Sequence, residues 1–543
     1  MLDSTRKLDY RELASYKPLF LDYVYRFDRL APYFPGNPGD PDAWRRVAKT
    51  VSDYPRQTKR VAEVLHEQNR EMGADPAVSQ ALEALANGAL AVVTGQQVGL
   101  FGGPLYSLYK ALTAVELAKK VGLIIDRPVV ALFWMDADDH DFEEVSSVNF
   151  IDPSQELITL SYQPAEIQEG ASVGALPLES SIEELVAQAE DCLPASEFKQ
   201  EILDALGESY APGRTLAEAF GSWLLRMTRE TGLAVVDPTV RPLKSLAASL
   251  FQRETSEKSE STRLVEETTG RLVSEGYHAQ AGTADHRLNL LYSDPVRSHI
   301  MVEDSGFRLS DQGSAVSLEE LEKLVDEAPE RFSANVLLRP LVQDHLLPTI
   351  GYVGGPNELA YLAQLGAVYD HFGVPMPLIV PRTSITVVEK AAAKFLSRHG
   401  LKLPDLRVND ESVLNDILTD LAPPQLDEDL SRARTCIHEI TQTLEKDLAA
   451  IDPTLASAAK STRGKLLHHL GELEVKSRRA IKKKNDILRR QFFSTRTALF
   501  PNFDMQERQL SPVQYLAKYG WHFTEMVRES IDVEEPGHVL LFP

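Results

Sequence analysis

Two short apolar segments, GALAVVT at 88–94 and RPVVALFWM at 127–135, are separated by a glycine-rich turn and a helical pattern. The helical pattern begins near Pro104 and carries apolar residues at three- and four-residue spacing, as the buried face of a helix requires. Parallel strands need a crossover connection of this kind, which is usually a helix. The order strand, turn, helix, strand therefore predicts an α/β fold built on a parallel sheet.

Further strands and two interruptions are predicted along the chain. Short apolar runs recur at 232–238, 348–354 and 376–380, and a last one, HVLLFP, closes the sequence. Residues 1–87 are predicted to be mainly helical. The segment 156–230 is acidic and mostly helical and looks inserted. A long polar helix is predicted from about Pro242 to Gly276, and the turn-rich alternating segment after it predicts a second insertion of small strands.

A different periodicity begins after residue 425. Apolar residues alternate four and three apart, which is coiled-coil spacing, at Leu426, Leu430, Ala433, Ile437, Ile440 and Leu444 and again at Leu466, Leu470, Leu473, Ala480 and Ile487. Pro453 interrupts the run because proline cannot continue a helix interior. The pattern predicts an antiparallel helical hairpin. It fits a plain packing face in a bundle or a protruding coiled coil used for dimerisation, and we favour the coiled coil.

Composition narrows the function class. The 543 residues carry 57 Lys and Arg against 80 Asp and Glu, a net charge of −23, which opposes nucleic acid binding. Two cysteines without a C-x-x-C pattern exclude a disulfide framework and a Cys-rich zinc site. No secretory signal and no apolar run of membrane-spanning length is visible in the sequence. We expect a cytoplasmic protein with neither nucleic acid nor membrane as a partner.

The glycine-rich turn is the first candidate site. Gly99, Gly102 and Gly103 stand between the end of a strand, at Thr94, and a helix that carries Lys110. Free N–H groups at a helix N-terminus favour an anion, and glycines let the backbone approach it closely. A phosphate or carboxylate cradle and a mere tight turn both fit this pattern. The spacing matches neither the P-loop nor the dinucleotide fingerprint.

The second candidate is the acidic segment that follows the strand at 127–135. Asp136, Asp138, Asp139 and His140 stand beside Trp134, where ligands bind in open α/β sheets. These groups could recognise a substrate amine, Mg²⁺ near an ATP phosphate, or ribose hydroxyls. The alternative is a solvated turn in which Asp139 or Asp141 caps a helix. A metal site made by the protein alone is a weaker option, since only one histidine is near.

The third candidate surrounds a second strand–glycine–proline–helix sequence, YVGGPNE. Its polar residues predict a second ligand-binding strand end, and they are Arg339, Gln343, Asp344, Tyr352, Gly354, Gly355, Glu358, Tyr361 and Gln364. His345 is either a satisfied buried histidine or a catalytic one. Arg382 and Ser384 follow at the next strand end, where they suit a phosphate. The basic run at 476–491 is either a solvated helix face or a positive wall facing a nucleotide.

These motifs resemble one family along essentially the whole chain. The segments TGQQVGLFGGPLYSLYKA, FWMDADDHDFEEV, LRPLVQDHLLPTIGYVGGPNELAYLAQL, PRTS and QERQLSPVQYLAKYG are similar to the bacillithiol biosynthesis cysteine-adding enzyme family, BshC. The resemblance implies a Rossmann-like core of the class I synthetase type, two connecting-peptide inserts and a coiled coil that makes a homodimer. The expected organisation is core at 1–155, insert at 156–230, core strand at 231–240, second insert at 241–333, core at 334–385, coiled coil at 386–498 and a C-terminal segment packing on the core at 499–543.

The resemblance also implies an activity, the joining of L-cysteine to the amine of glucosaminyl malate in the last step of bacillithiol synthesis. Because a carboxylate does not form an amide with an amine unaided, we expect ATP (or ADP) to bind, with Mg²⁺ as a possible companion. Phosphates or the activated carboxylate would lie at the loop from Thr94 to Tyr106, which includes Gln96 and Gln97, and at Lys110. The catalytic candidates are Asp136, Asp138, Asp139 and His140, which would bind polar groups of the substrates or act as general base on the incoming amine. Gln506 and Arg508 join the substrate-binding candidates.

Two departures from related enzymes shape the expectation. Synthetase-like cores carry a His-Ile-Gly-His signature at the glycine turn, whereas this sequence reads GGPLYSLY, so no histidine contact to phosphate is expected there. A related mycothiol-pathway ligase binds the cysteine thiol through zinc. Here Cys192 and Cys436 are far apart and away from any histidine cluster, so no zinc is expected. The alternatives are another amine–carboxylate ligase, a nucleotide-regulated coiled-coil scaffold and, last, a metal-dependent hydrolase.

Overall fold

A computed structural model describes residues 5–543 except 166–169, 259, 285, 295, 305, 310–312, 314, 408 and 421–424, and omits the side chains of 420, 481, 482 and 484. The last three of these side chains belong to the basic run, so that part of its predicted role lies outside the described residues. The chain forms two compact units. The first comprises the chain up to Val388 together with Met505–Pro543, and the second comprises Glu389–Asp504.

The core of the first unit is a five-stranded sheet in which every neighbouring pair is parallel. Its strands are β2 (Leu90–Gln97), β3 (Val129–Asp136), β6 (Ala234–Val236), β12 (Thr349–Gly354) and β13 (Leu378–Pro381). The spatial order is β6-β3-β2-β12-β13. The chain therefore enters at the centre, builds one side, and then returns to build the other beside β2. The predicted parallel α/β core is confirmed.

The remaining strands form smaller sheets. One joins β1 (Thr5–Leu8), β14 (Ser384–Val387) and β15 (His538–Leu541). A hairpin pairs β4 (Ser147–Ile151) with β5 (Leu157–Ser161). An antiparallel sheet contains β7 (Arg287–Ser293), β8 (Arg297–Glu303), β9 (Gly306–Arg308), β10 (Ala315–Val316) and β11 (Phe332–Ala334), which is the turn-rich segment predicted to form small strands.

Helices surround these sheets. Up to Val388 they are α1 (Pro18–Tyr25), α2 (Pro41–Asp53), α3 (Thr58–Glu71), α4 (Pro76–Ala86), α5 (Leu105–Ile125), α6 (Phe142–Val145), α7 (Ser181–Cys192), α8 (Lys199–Ser209), α9 (Leu216–Met227), α10 (Arg241–Ser256), α11 (Glu260–Ser274), α12 (Leu318–Glu327), α13 (Arg339–Leu346), α14 (Pro356–Leu362) and α15 (Gly366–Phe372). The crossover helix α5 is buried on nearly all sides. Leu105, Leu108, Leu112 and Val115 are buried as predicted, and so are most of the residues between them.

The prediction of one long helix from Pro242 to Gly276 is wrong. The segment forms α10 and α11, and Lys258 between them has a positive φ of 49°. The reversal brings the hydroxyl of Ser261 to the buried carboxylate of Glu254, at 2.8 Å. That carboxylate also accepts the backbone N–H of Asn289 on β7. Contacts distant in sequence therefore select the break, and helical periodicity could not show it.

The second unit contains the predicted hairpin. Its helices are α16 (Lys390–His399), α17 (Ser412–Asp420), α18 (Leu426–Ile451), α19 (Pro453–Lys484) and α20 (Asp486–Leu499). Helices α18 and α19 meet at Pro453 and run antiparallel, with Arg434 paired to Glu474 and Lys460 paired to Glu445 at 3.3 Å.

The predicted seam of the hairpin is correct only in part. Leu430, Ala433 and Ile437 are half-buried as predicted, but the next inward residue is Thr441. Two successive four-residue steps shift the contact face away from a strict heptad, as a four-residue insertion does in coiled coils. The shift leaves several apolar side chains of the predicted seam exposed, namely Ile440 (56%), Leu444 (48%), Leu466 (43%) and Leu473 (55%).

After the second unit the chain rejoins the first through α21 (Gln506–Gln509), α22 (Val513–Tyr519) and α23 (His522–Ser530). A buried ion pair fastens this segment, since Glu507 accepts from Arg382 at 2.7 Å, from the hydroxyl of Ser384 at 2.8 Å and from the N–H of Ile385 at 2.9 Å. Burial lowers the pKa of His538, whose ring contacts Ser384, to about 4. The histidine is therefore neutral in this network at pH 7.

Replacing Glu507 by alanine should destabilise the first unit strongly. The change leaves the buried guanidinium of Arg382 without its counter-charge, and breaking a buried pair in this way costs about 3–5 kcal/mol. Breaking the exposed pair between Arg45 and Asp42 with Arg45→Ala should cost less than about 1 kcal/mol. Urea unfolding followed by fluorescence measures both, and equal losses would contradict the role given to Glu507.

Candidate active site

The parallel sheet places its polar strand ends together. Strands β2 and β12 are neighbours, and the chain leaves them toward opposite sides of the sheet. In open α/β sheets a crevice opens at such a switch point, outside the carboxyl ends of the strands. The first and third predicted candidates both lie here, and the acidic segment follows at the end of β3.

A buried ion pair closes the switch point. Lys110 on α5 contacts Glu358 on α14 at 2.6 Å, Gln96 at 3.2 Å and the carbonyl oxygen of Gly95. Glu358 also accepts from the hydroxyl of Tyr352 at 2.6 Å and from the N–H of Gly355 at 2.7 Å. Every charged atom of this pair therefore has a partner within the protein.

The pair is electrostatically locked. Burial lowers the pKa of the Lys110 amine, because the charged form loses hydration. Burial also opposes ionisation of Glu358, but the charge of Lys110 and the hydrogen bonds from Tyr352 and Gly355 outweigh it and hold the pKa of that carboxyl below its ordinary value. The sequence predicted that Lys110 binds a phosphate, whereas in the structure its amine donates to groups of the protein.

Arg339 differs from Lys110 in that no described carboxylate is in direct ion-pair contact with it, and Asp136 acts on its charge from a longer distance. The side chain is 9% exposed and donates to Tyr361 at 3.1 Å and to Gln343 at 3.2 Å. Within the described part of the chain, no carboxylate lies within 4.0 Å of its guanidinium nitrogens. A buried guanidinium is favourable when it binds a carboxylate or phosphate in a bidentate manner. Arg339 is therefore a candidate to bind an anionic ligand.

Asp136 is the complementary group at the end of β3. Its half-buried carboxylate accepts no hydrogen bond from the described residues, and it lines a small cavity together with Arg339 and Trp134. Burial raises the pKa of Asp136, the charge of Arg339 opposes the rise, and neighbouring Asp139 adds to it. An unpartnered carboxylate with a raised pKa in a cleft is a candidate acid or base.

The other acidic residues have partners. Asp138 pairs with Lys244 from α10, and Asp139 accepts from Gln97 at 2.6 Å. Asp141 caps α6 by accepting the N–H of Glu144, so the capping alternative is correct for that residue. His140 is exposed, and its Nδ1 lies 3.3 Å from Arg297.

The glycine turn is stabilised by its own bonds. The N–H groups of Gly99 and Gly103 donate to Gln97 and Leu100, and that of Gly102 donates to the hydroxyl of Tyr210. Gly102 has a φ of +87°, and a Cβ there would lie 2.8 Å from Trp223. The geometry supports the tight-turn interpretation. The anion cradle stays a prediction, and these three N–H groups do not support it because each already donates to the protein.

Several other predicted residues lie in structural contacts. Thr94 donates to the carbonyl of Val353 and so ties β2 to β12. Gln364 binds the backbone of Ala281, and Gln506 binds that of Val387. Arg382 and Ser384 are held by Glu507 as described above, which leaves them little freedom for the predicted phosphate contact.

The remaining predicted residues also make contacts within the protein. Tyr106 accepts from Gln96 at 3.3 Å, and the guanidinium of Arg382 lies 5.4 Å from its ring centroid. Burial raises the pKa of Tyr106, and the charge of Arg508 is the largest effect that opposes the rise.

Gly354 ends β12 beside Tyr352. Asp344 accepts from Gln343 and Tyr369, and burial raises its pKa to about 6. His345 contacts Tyr54 at 2.7 Å, as expected for a satisfied histidine.

Sequence reasoning missed two cations beside the acidic segment. Lys244 comes from α10 and Arg297 from β8, more than a hundred positions away in the sequence, as the contacts to Asp138 and His140 show. Neither lies in a motif, so only the fold could assign them.

Across the described ranges, no group of three or more His, Cys, Asp or Glu side chains is placed to hold a metal ion. In the same part of the chain no helix is long and apolar enough to span a bilayer.

Two family models match the chain. Residues 4–383 match the model described as "Bacillithiol biosynthesis BshC, N-terminal Rossmann-like domain", and residues 385–543 match "Bacillithiol biosynthesis BshC, C-terminal coiled-coil domain".

Curated relatives named "Putative cysteine ligase BshC" match along nearly their whole length. The protein of Salinibacter ruber is 35% identical over 97% of this chain and 96% of its own. That of Koribacter versatilis is 34% identical over 92% and 93%, and that of Chlorobaculum tepidum is 34% identical over 89% and 88%.

The structural role of the glycine turn can be tested with Gly102→Ala. We expect a loss of about 1–3 kcal/mol in the free energy of unfolding from the strained backbone, with a further loss from the contact with Trp223. Gly207→Ala in α8 is the control, because its Cβ would meet only Val186 at 4.0 Å and should stabilise the helix by up to about 1 kcal/mol. A neutral Gly102→Ala would contradict the assignment.

Proposed function

Because this chain belongs to the BshC family of bacillithiol biosynthesis, we propose that it is a ligase that joins the carboxylate of cysteine to the amine of glucosaminyl malate and consumes ATP. The names of the relatives support a cysteine ligase. The placement of a cation and a carboxylate that make no direct ion pair with any described residue, Arg339 and Asp136, supports a reaction between a carboxylate and an amine.

The chemistry explains why both groups are needed. The cysteine carboxylate attacks a phosphorus of ATP and displaces pyrophosphate or ADP, which gives an activated acyl group. The amine then attacks the acyl carbon, loses a proton, and expels AMP or phosphate. Holding the two reactants in position can supply about 7–11 kcal/mol of the barrier. The enzyme must therefore bind an anion and accept a proton within one cleft.

The single observation that carries this proposal is the placement of Arg339 beside Asp136. In the proposal, Arg339 binds the substrate carboxylate and Asp136 accepts the proton of the incoming ammonium or amine. Tyr106, Gln96 and Arg508 border the crevice on the side of β2 and suit the phosphates of ATP. Mg²⁺ would bind through those phosphates rather than through a cage of protein ligands.

Turnover should depend on both residues in different ways. Asp136→Asn removes the proton acceptor and should lower kcat by about 10²–10⁴-fold. Arg339→Met removes a charge-assisted bond worth about 1.5–3 kcal/mol and should chiefly raise the KM of a carboxylate substrate. Bacillithiol formation from cysteine, glucosaminyl malate and ATP is the assay, and Arg45→Met is the control.

The pH profile gives an independent reading. Since the pKa of Asp136 lies above its ordinary value, its basic form is lost as pH falls toward that pKa, and kcat/KM should fall on the acid side. Asp136→Asn should remove this acid limb. A purified protein that forms no product with ATP, and none with ADP, would contradict the ligase. Pyrophosphate or ADP release with other amines would instead indicate a different amine–carboxylate ligase.

The exposed apolar side chains of the hairpin support a homodimer. Ile440 and Leu444 on α18 and Leu466 and Leu473 on α19 lie outside the contact between the two helices. Exposed apolar patches of this kind mark association sites. The occupant we propose is the same hairpin of a second copy, because long helices with coiled-coil spacing associate with helices of matching spacing.

Charges on this surface should dissociate the dimer. Leu466→Asp with Leu473→Asp places two carboxylates in the proposed interface, and we expect a monomer by sedimentation equilibrium. Thr435→Asp with Ser461→Asp adds the same charge at exposed polar positions on other faces of α18 and α19 and should leave the dimer intact. A wild-type protein that sediments as a monomer would exclude this part of the proposal.

A further inference from the structure

A cavity lies behind Asp136, between the end of β3 and helices α10 and α13. It measures about 20 Å³. A cavity needs roughly 10–15 Å³ by this measure to accommodate one water molecule. The space therefore admits one group of about that size, such as the end of a short side chain, and excludes a sugar or a nucleobase.

The lining has a charged edge and an apolar wall. Asp136, Asp138, Lys244 and Arg339 form the edge, and Asp138 and Lys244 neutralise each other. The wall contains Leu243, Ala247 and Phe251 of α10 and Val342 and Leu346 of α13. A ligand here would place its ionic groups at the edge and a small apolar end against the wall.

Trp134 contributes an unsatisfied donor. Its ring lines the cavity and is 2% exposed, and its indole N–H has no acceptor in the described protein. A buried donor without a partner is destabilising, so an acceptor within reach of this N–H would be stabilised. Sulfur is a weak acceptor that also tolerates an apolar wall, since a thiol behaves as a small hydrophobe.

We propose that this cavity holds the –CH₂–SH side chain of the cysteine substrate, with its sulfur against the indole N–H of Trp134 and its carboxylate at Arg339. The inference rests on the proposed function, and it adds the pocket that selects the amino acid. A hydroxyl in place of the thiol would have to be desolvated against the apolar wall. A side chain longer by one methylene would not fit.

Filling the cavity tests the assignment. Ala247→Leu should raise the KM for cysteine, because pocket volumes that differ by a methylene change discrimination by about 10–200-fold. The KM values for ATP and glucosaminyl malate should stay at their wild-type level. Ala247→Val is a smaller change for use if the leucine variant folds poorly. Ala248→Leu, one position along α10 and outside the cavity, should behave as wild type.

Removing the donor is the second arm. Trp134→Phe keeps the aromatic ring and loses the N–H, and a hydrogen bond of about 0.5–1.5 kcal/mol corresponds to a rise of roughly 2–12-fold in the KM for cysteine. Serine should remain a poor substrate, because the apolar wall is unchanged. Calorimetric titration of cysteine into each variant gives the affinity directly.

The outcomes separate the pocket from the reaction. An unchanged KM for cysteine in Ala247→Leu, or a rise confined to ATP, would overturn the pocket while the ligase stands. If the wild-type protein shows no turnover, the ligase fails and the titration decides. Cysteine binding that is lost in Ala247→Leu and kept in Ala248→Leu would still support the pocket, and no binding to wild type would overturn it.

Discussion

The ion pair between Lys110 and Glu358 joins two halves of the core that are 248 positions apart in the sequence. Lys110 belongs to the helix after β2, and Glu358 belongs to the helix after β12. Because both strands are parallel neighbours, their following helices begin at the same edge of the sheet. The pair fixes how close these helices stand, and the shape of the crevice depends on that distance.

The complete pairing of Lys110 and Glu358 makes any nearby charge that lacks such a partner stand out as a candidate ligand-binding group. A buried charge is tolerated when it is paired and hydrogen-bonded, and Lys110, Glu358, Arg382 and Glu507 all satisfy this rule within the protein. In the part of the chain that the structure describes, no carboxylate forms an ion pair with Arg339. The polar groups that the fold leaves unsatisfied therefore mark the place for a ligand more clearly than the charged residues themselves do.

The sequence was sufficient for the parts of the fold that depend on local pattern. Short apolar segments and a crossover helix predicted the parallel sheet, and Pro453 marked the turn of the hairpin. It was insufficient where distant contacts decide. Glu254 selects the break between α10 and α11, and Thr441 enters the hairpin seam where Ile440 was expected. In the candidate site, the sequence named Asp136 from its strand end and Arg339 from the motif that leads into β12, whereas Lys244 and Arg297 have no local signal.

The two strand–glycine–proline–helix turns show why similar sequences need not have similar roles. In the first, the N–H of Leu105 donates to the carbonyl of Leu510 at 2.8 Å, which closes the start of α5. In the second, the N–H of Gly355 binds the carboxylate of Glu358. A helix N-terminus attracts an anion only while its N–H groups are free. At each start one N–H group is already bound to an acceptor of the protein, so a side chain such as Arg339 is a stronger candidate for anion binding than these two N–H groups.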